Sequence, residues 1–192
     1  MPCRFGLLAE KFLNSPVVDI GGYKYFVNPV SDGIPSVDKA LLDEIIEGVI
    51  EVSELRCDLI LAPEAMGVPI ATGLTIRTGI PFAVIRKRSY GLEGEIRLDQ
   101  STGYSRSPMY INGVRPGDRV VLVDDVMSTG GTAKAIVEAL EKNGVTVTEV
   151  SVVFNKSKDL AAISEELGVP VRRLIDVGVS EDGRPYILDD AL

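Results

Sequence analysis

The chain has 192 residues, 45% hydrophobic and 25% charged, with 28 acidic against 20 basic side chains and a formal charge of −8. It contains no histidine and no tryptophan. That excludes Ser-His-Asp and Cys-His systems, HExxH zinc helices and imidazole acid–base catalysis, while the acidic balance disfavours nucleic acid or an anionic membrane as partner. What remains is chemistry by carboxylates, hydroxyls, backbone amides, Lys, Arg or a metal held by oxygen. The length suits one domain spanning 1–192. Cys3 and Cys57 form no framework, the opening MPCRFGLLAEKF is too polar for a signal peptide, and no apolar run nears the ~20 residues of a membrane span. A cytoplasmic protein with reduced thiols is expected.

Phe5, Leu7, Leu8, Phe12 and Leu13 recur at helical spacing until Asn14-Ser15-Pro16 stops the pattern. Residues 17–27 read as two short strands about Gly21-Gly22, with Tyr23, Tyr25 and Val27 on one face. From Ser36 as N-cap, Ala40, Leu41, Ile45, Val49 and Val52 mark a long helix. Four β-forming runs follow, at 59–62, 82–85, 120–123 and 150–154. Helical stretches lie near 66–78, 131–143 and 158–167, the second stopped by Asn143-Gly144. Apolar strands alternating with helices predict an α/β fold with a parallel sheet covered by helices on both faces. Residues 86–108 break the rhythm and read as a long mobile flap over a site.

The chemistry concentrates in 120–132, VVLVDDVMSTGGT. A buried strand delivers Asp124 and Asp125 to the carboxyl edge of the sheet, where open α/β folds bind ligands. The turn after it offers backbone N–H groups and the hydroxyls of Ser128, Thr129 and Thr132 at a helix start, a cradle for one phosphate. No lysine follows Gly130-Gly131, so this is not a Walker A loop, and GxGxxG spacing is absent. Two acids beside a phosphate must answer something else: ribose hydroxyls or hydrated Mg²⁺. Adjacent strand residues face opposite ways, so both acids serve one ribose only where the strand has ended. Capping of the next helix is the plainer alternative. Glu64-Ala65-Met66-Gly67 forms a second strand-to-helix turn, another natural anion seat. Arg86-Lys87-Arg88 ends the next strand, as either a solvated basic face or an anion clamp.

Segment 120–132 resembles the phosphoribosyl diphosphate (PRPP) motif of type I phosphoribosyltransferases. The resemblance runs from about Tyr25 to Leu188 and is strongest to the archaeal-type hypoxanthine/guanine enzymes, a group built like adenine phosphoribosyltransferase. Glu64 to Pro69, Val84 to Arg88 and Thr102-Gly103-Tyr104-Ser105 carry that closer match. It implies the type I fold with a small hood contributed by about residues 1–35. By resemblance, Asp124 and Asp125 hold the ribose hydroxyls, and Ser128, Thr129, Gly130, Gly131 and Thr132 hold the 5′-phosphate. Glu64, Ala65, Met66 and Gly67, with Arg86 and Lys87, take pyrophosphate, Lys87 reaching across a homodimer. Tyr25, Phe26 and Val27 form the base pocket, or else Tyr25 and Phe26 serve only as hood core. Mg²⁺ is the implied cofactor, held by PRPP and water without direct protein ligands.

The implied reaction transfers phosphoribosyl from PRPP to hypoxanthine or guanine, with adenine as the runner-up base. Two departures stand out. The 6-oxopurine enzymes of bacteria and eukaryotes place Asp where Ser128 stands, and the Glu-Tyr pair of the adenine-type flap is here Gly103-Tyr104. Tyr104 is therefore the flap's catalytic candidate, with Glu93, Glu95 or Asp99 as possible replacements for the missing acid. A PRPP-binding regulator without turnover is disfavoured by the charge and the lack of a basic helical domain. An orotate-type enzyme is disfavoured because a lysine-rich flap is absent.

Overall fold

The computed structural model describes residues 4–101 and 106–188. At its centre lies a six-stranded sheet in the order β10-β9-β8-β7-β3-β4, built from β3 (Leu59–Pro63), β4 (Phe82–Ile85), β7 (Arg119–Met127), β8 (Thr146–Asn155), β9 (Val171–Val179) and β10 (Pro185–Ile187). All neighbours run parallel except β10, which returns antiparallel on β9. The α/β architecture expected from the alternating apolar runs is therefore present.

The inner strands divide their side chains between two cores, as a pleat of period two requires. On β7, Val121 and Val123 enter one core with α1 (Gly6–Leu13), α3 (Lys39–Val52) and α4 (Gly67–Thr78). Val120 and Leu122 enter the other with α5 (Gly131–Lys142) and α6 (Leu160–Leu167). A two-stranded ribbon, β1 (Val17–Ile20) and β2 (Tyr23–Phe26), turns through Gly21 and Gly22, at φ of 62° and 88°. Two successive positive φ values are what a two-residue hairpin turn demands and glycine supplies. Phe26 anchors the ribbon edge-on to Phe12 and Phe154, at centroid distances of 5.0 and 5.8 Å. The short α2 (Pro29–Asp32) follows, capped by the Asn28 side chain. Because Phe5, Leu8 and Phe12 sit in the main core, it is the ribbon and α2 that overhang the sheet.

Two expectations are corrected. The segment 86–108 is not an irregular loop: β5 (Ile96–Ser101) and β6 (Arg106–Ile111) pair antiparallel. Ile96, Leu98, Met109 and Ile111 are buried in the core on the α5 side, an alternation that pins the hairpin's register. The stretch before Ile96 is a turn, and Glu95 organises it by accepting from Ser89 Oγ (2.5 Å), Tyr90 N (2.9 Å) and Asn112 Nδ2 (2.9 Å). These donors hold the Glu95 carboxyl down at about 2. Second, α3 is capped by Asp38, whose side chain accepts from Leu41 N at 2.9 Å, not by Ser36.

Gly67 shows how tightly the layers close over the carboxyl edge. A Cβ there would stand 2.7 Å from the Val123 carbonyl and 3.3 Å from Ala62 Cβ, so only glycine lets α4 start this close to β7. Gly67→Ala is expected to cost about 1–3 kcal/mol of stability through overpacking, read as a lowered urea midpoint at unchanged slope. An unchanged midpoint would show that the helix start has room to move.

Candidate functional site

Two adjoining cavities open at the carboxyl edge of the sheet. The larger, about 870 Å³, runs between the β1–β2 ribbon, the 128–132 turn and the 156–158 turn after β8. The smaller, about 230 Å³, is lined by Pro63, Glu64, Ala65, Met66, Lys87 and Met109. Ser31, Asp124, Asp125 and Thr132 border both, so the carboxylate pair stands at the junction.

The strand has not ended at the two acids: β7 continues to Met127, with Asp124 in register with Val152. By alternation Asp124 continues the Leu122 side and Asp125 the Val123 side. They still serve one site, because the sheet edge is open there and both cavities wrap around it. Asp124 folds back to accept from the Asp125 amide at 2.9 Å. Burial, and then the neighbouring Asp125 charge, push the Asp124 carboxyl well above the usual range; burial also raises Asp125.

Helix N-termini distinguish the two turns at the cavities from the rest of the fold. The first amides of α2, α3 and α6 are capped by Asn28, Asp38 and Asp159, and those of α1 by Glu44 through Leu7 N and Leu8 N. α4 and α5 have no side-chain cap. These two helices start at the smaller and larger cavity respectively, where their first amides and positive dipole ends suit phosphate groups. Gly130 makes the second turn possible, entering α5 at φ 76° with Ile163 packed against its α-carbon side.

The sequence candidates fall into place unevenly. Ser128, Thr129, Gly130, Gly131 and Thr132 all line the larger cavity, as do Tyr25 and Phe26. Glu64, Ala65, Met66 and Lys87 line the smaller, and the Glu64–Ala65 peptide is cis. Gly67 lies behind this wall in the core. Arg86 lines neither cavity; its Nε pairs with Glu64 Oε2 at 3.0 Å, while the Lys87 N–H donates to Glu64 Oε1 at 2.6 Å. Val27 also lines neither, its N–H being held by the Pro16 carbonyl. Glu95 is committed to its turn. Tyr104, with Thr102, Gly103 and Ser105, lies outside the described residues. Tyr25 donates its hydroxyl to Asp32 (2.8 Å), and burial followed by that carboxylate raises its pKa.

Sequence reasoning missed Tyr23, Ser31 and the turn Lys156-Ser157-Lys158, all of which line the larger cavity. The Lys156 ammonium lies 4.4 Å from the Tyr23 ring centroid and 5.1 Å from that of Phe26, and donates to the Tyr23 hydroxyl. A basic residue just after an apolar strand was the available signal. Among the described residues, no cluster of three or more acidic or thiol side chains forms a metal cage, and no helix is long and apolar enough to cross a membrane.

The phosphoribosyl transferase domain family matches residues 38–169. The chain is 47% identical over 184 residues to a hypoxanthine/guanine phosphoribosyltransferase of Methanohalophilus mahii, covering 96% of each chain. It is 48% identical over 176 residues to that of Methanosarcina acetivorans, covering 92% and 93%. Among solved structures, an adenine phosphoribosyltransferase from Thermoanaerobacter pseudethanolicus superposes with a TM-score of 0.72 at 26% identity, over 88% of this chain and 99% of that one. The adenine enzyme of Rhodothermus marinus, at 21% identity and TM-score 0.70 over 90% and 98%, shares the fold.

Holding two close carboxylates in a partly dry site costs stability at neutral pH. A carboxyl whose folded pKa is raised binds its proton more tightly than the unfolded chain does, so stability falls as pH rises from the ordinary aspartate range toward the folded value. Asp124→Asn removes that cost and keeps the acceptor for the Asp125 amide. The ligand-free variant should melt roughly 2–4 °C higher than wild type at pH 7, with the gain vanishing near pH 3–4, about where aspartate is protonated anyway. A lower melting temperature across that range would show that the pair is not under electrostatic strain.

Proposed function

Because the chain belongs to the phosphoribosyl transferase domain family, we propose that it is a purine-salvage glycosyltransferase moving phosphoribosyl from PRPP to hypoxanthine or guanine, giving IMP or GMP and pyrophosphate. One observation carries the assignment of sites: two uncapped helix starts, each at its own cavity, flank a carboxylate pair at the junction. PRPP has the same layout, with phosphate at one end, pyrophosphate at the other and ribose between.

In this arrangement Ser128 to Thr132 bind the 5′-phosphate through backbone N–H groups and hydroxyls. Asp124 and Asp125 accept from the ribose hydroxyls, which favours their ionised forms once substrate arrives. The Glu64–Met66 backbone and Lys87 take pyrophosphate, while Arg86 neutralises Glu64 so that the anion does not meet an unpaired carboxylate. The purine lies against Tyr25 and Phe26, and a purine nitrogen displaces pyrophosphate from C1 with inversion through an oxocarbenium-like state. The β5–β6 hairpin, with Tyr104 on its connecting segment in sequence, excludes water from that state. Carboxylates and phosphate oxygens are hard donors suited to Mg²⁺, which, when bound with PRPP, neutralises the leaving pyrophosphate. No step requires imidazole.

Lys156 selects the base. A 6-oxo group is an acceptor and meets an ammonium donor held at the hood; the amino group of adenine would face the same cation and leave it unanswered. The enzyme works in the cytoplasm, in keeping with the lack of a disulfide framework expected from Cys3 and Cys57, and as a homodimer, which would cover Ile76, Tyr90 and Leu92, large apolar side chains left 78%, 52% and 58% exposed on one chain. Neither nucleic acid nor a membrane surface is a partner, on grounds of the −8 charge.

A base panel with PRPP and Mg²⁺ tests the proposal. Hypoxanthine and guanine should exceed adenine in kcat/KM, and Lys156→Met should lower the 6-oxopurine values by about 10–100-fold, the worth of a charged hydrogen bond, with adenine little changed. Preference for adenine in the wild type would contradict the base assignment. Tight PRPP binding without turnover of any purine would instead identify a regulator.

A further inference from the structure

Below the 156–158 turn, in an otherwise apolar layer, runs a chain of polar side chains of which only Ser157 lines the larger cavity. Asn155, the last residue of β8, is in register with Asp176 of β9, and both are buried, at 4% and 7% exposure. Their strand neighbours Val153, Phe154, Ile175 and Val177 are buried hydrophobics. Two apolar side chains at 155 and 176 would pack there without desolvating a carboxylate, so the polar pair calls for a reason other than stability.

Its hydrogen bonds have a fixed direction. Arg173 grips Asp176 through Nε (3.1 and 3.0 Å) and Nη2 (2.8 Å). An ionised carboxylate only accepts, so Asp176 takes the amide end of Asn155, Nδ2 to Oδ1 at 2.6 Å. That orientation turns Asn155 Oδ1 toward the turn, where it accepts from both Ser157 Oγ (2.6 Å) and Ser157 N (3.0 Å). On the other side the Lys156 N–H donates to the Met127 carbonyl at 2.7 Å. The root of Lys156 is thus tied to β9 through Ser157 and to the end of β7 directly.

We propose that Arg173, Asp176 and Asn155, which line neither cavity, form with Ser157 a positioning chain that aims Lys156 at the purine, so that these three residues set base affinity and base choice from outside the site. A satisfied buried network of this kind has one low-energy arrangement, which is what a cationic donor on a flexible stem requires of its backbone. The inference rests on the role given to Lys156 above.

The test separates base recognition from PRPP recognition. Asn155→Ala and Asp176→Asn should raise the KM for hypoxanthine by roughly tenfold or more, the scale of a misplaced binding group, and should narrow the hypoxanthine-over-adenine ratio. The Kd of Mg·PRPP, measured by calorimetry without base, should stay within about twofold, since the 128–132 cradle lies outside the chain. Asp176→Asn, at a residue that lines neither cavity, decides the matter if Asn155→Ala does not fold; Ser157→Thr, which keeps the hydroxyl, should leave base KM at the wild-type value. Parallel losses in PRPP Kd and base KM, or an unchanged base KM in Asp176→Asn, would overturn the proposal. If wild type prefers adenine, the role of Lys156 as a 6-oxo reader fails, but the chain is still judged by the same split, with adenine KM in place of hypoxanthine KM.

Discussion

Two adjacent carboxylates on one strand, standing at the junction of two cavities, impose the constraint that shapes the rest of this protein. Asp124 and Asp125 repel each other, and partial burial penalises both charges. The fold tolerates them because they sit at the open carboxyl edge of the sheet, where one is directed to each side. A single flat loop could not present both to one ligand without forcing them together. A strand that continues to Met127 starts them on opposite sides of its pleat, yet the two carboxylates stay in contact and the two cavities meet around them.

The surrounding devices serve the same requirement. The first amides of α1, α2, α3 and α6 are answered by Glu44, Asn28, Asp38 and Asp159. α4 and α5 carry no side-chain cap, and their dipoles offset the local excess of negative charge. Gly67 lets α4 begin against the Val123 carbonyl, one residue from the first acid. Positive charge is local in a chain of −8: Lys87 at the smaller cavity, Lys156 and Lys158 at the larger, and Arg86 spent on Glu64.

Much of this was legible in the chain because it is locally encoded. The apolar run ending in Asp124-Asp125, followed by small hydroxyl and glycine residues, specifies strand, acids and cradle within thirteen positions, and the comparisons place it in the expected family. The β5–β6 hairpin was misread because its alternation of Ile96 and Leu98 with Arg97 and Asp99 is short and flanked by glycines. Its stability comes from packing Met109 and Ile111 into a distant core. Arg86 and Lys87 are neighbours in sequence with different fates, since one side chain meets Glu64 and the other the cavity. Lys156 was silent for the same reason: a lysine after a strand acquires meaning only when the ribbon carrying Tyr23 and Phe26 folds over it. Helix capping by Asp38 instead of Ser36 is a smaller case, two good caps in one short segment with geometry choosing between them.

The most direct measurement is the rate of IMP and pyrophosphate formation from hypoxanthine and Mg·PRPP by the Asp124→Asn, Asp125→Asn double variant, alongside its circular dichroism. If the pair holds the ribose between the two anion seats, the variant keeps the wild-type spectrum and loses at least about 10²-fold in rate. A folded double variant turning over at the wild-type rate would contradict the central role of the carboxylates.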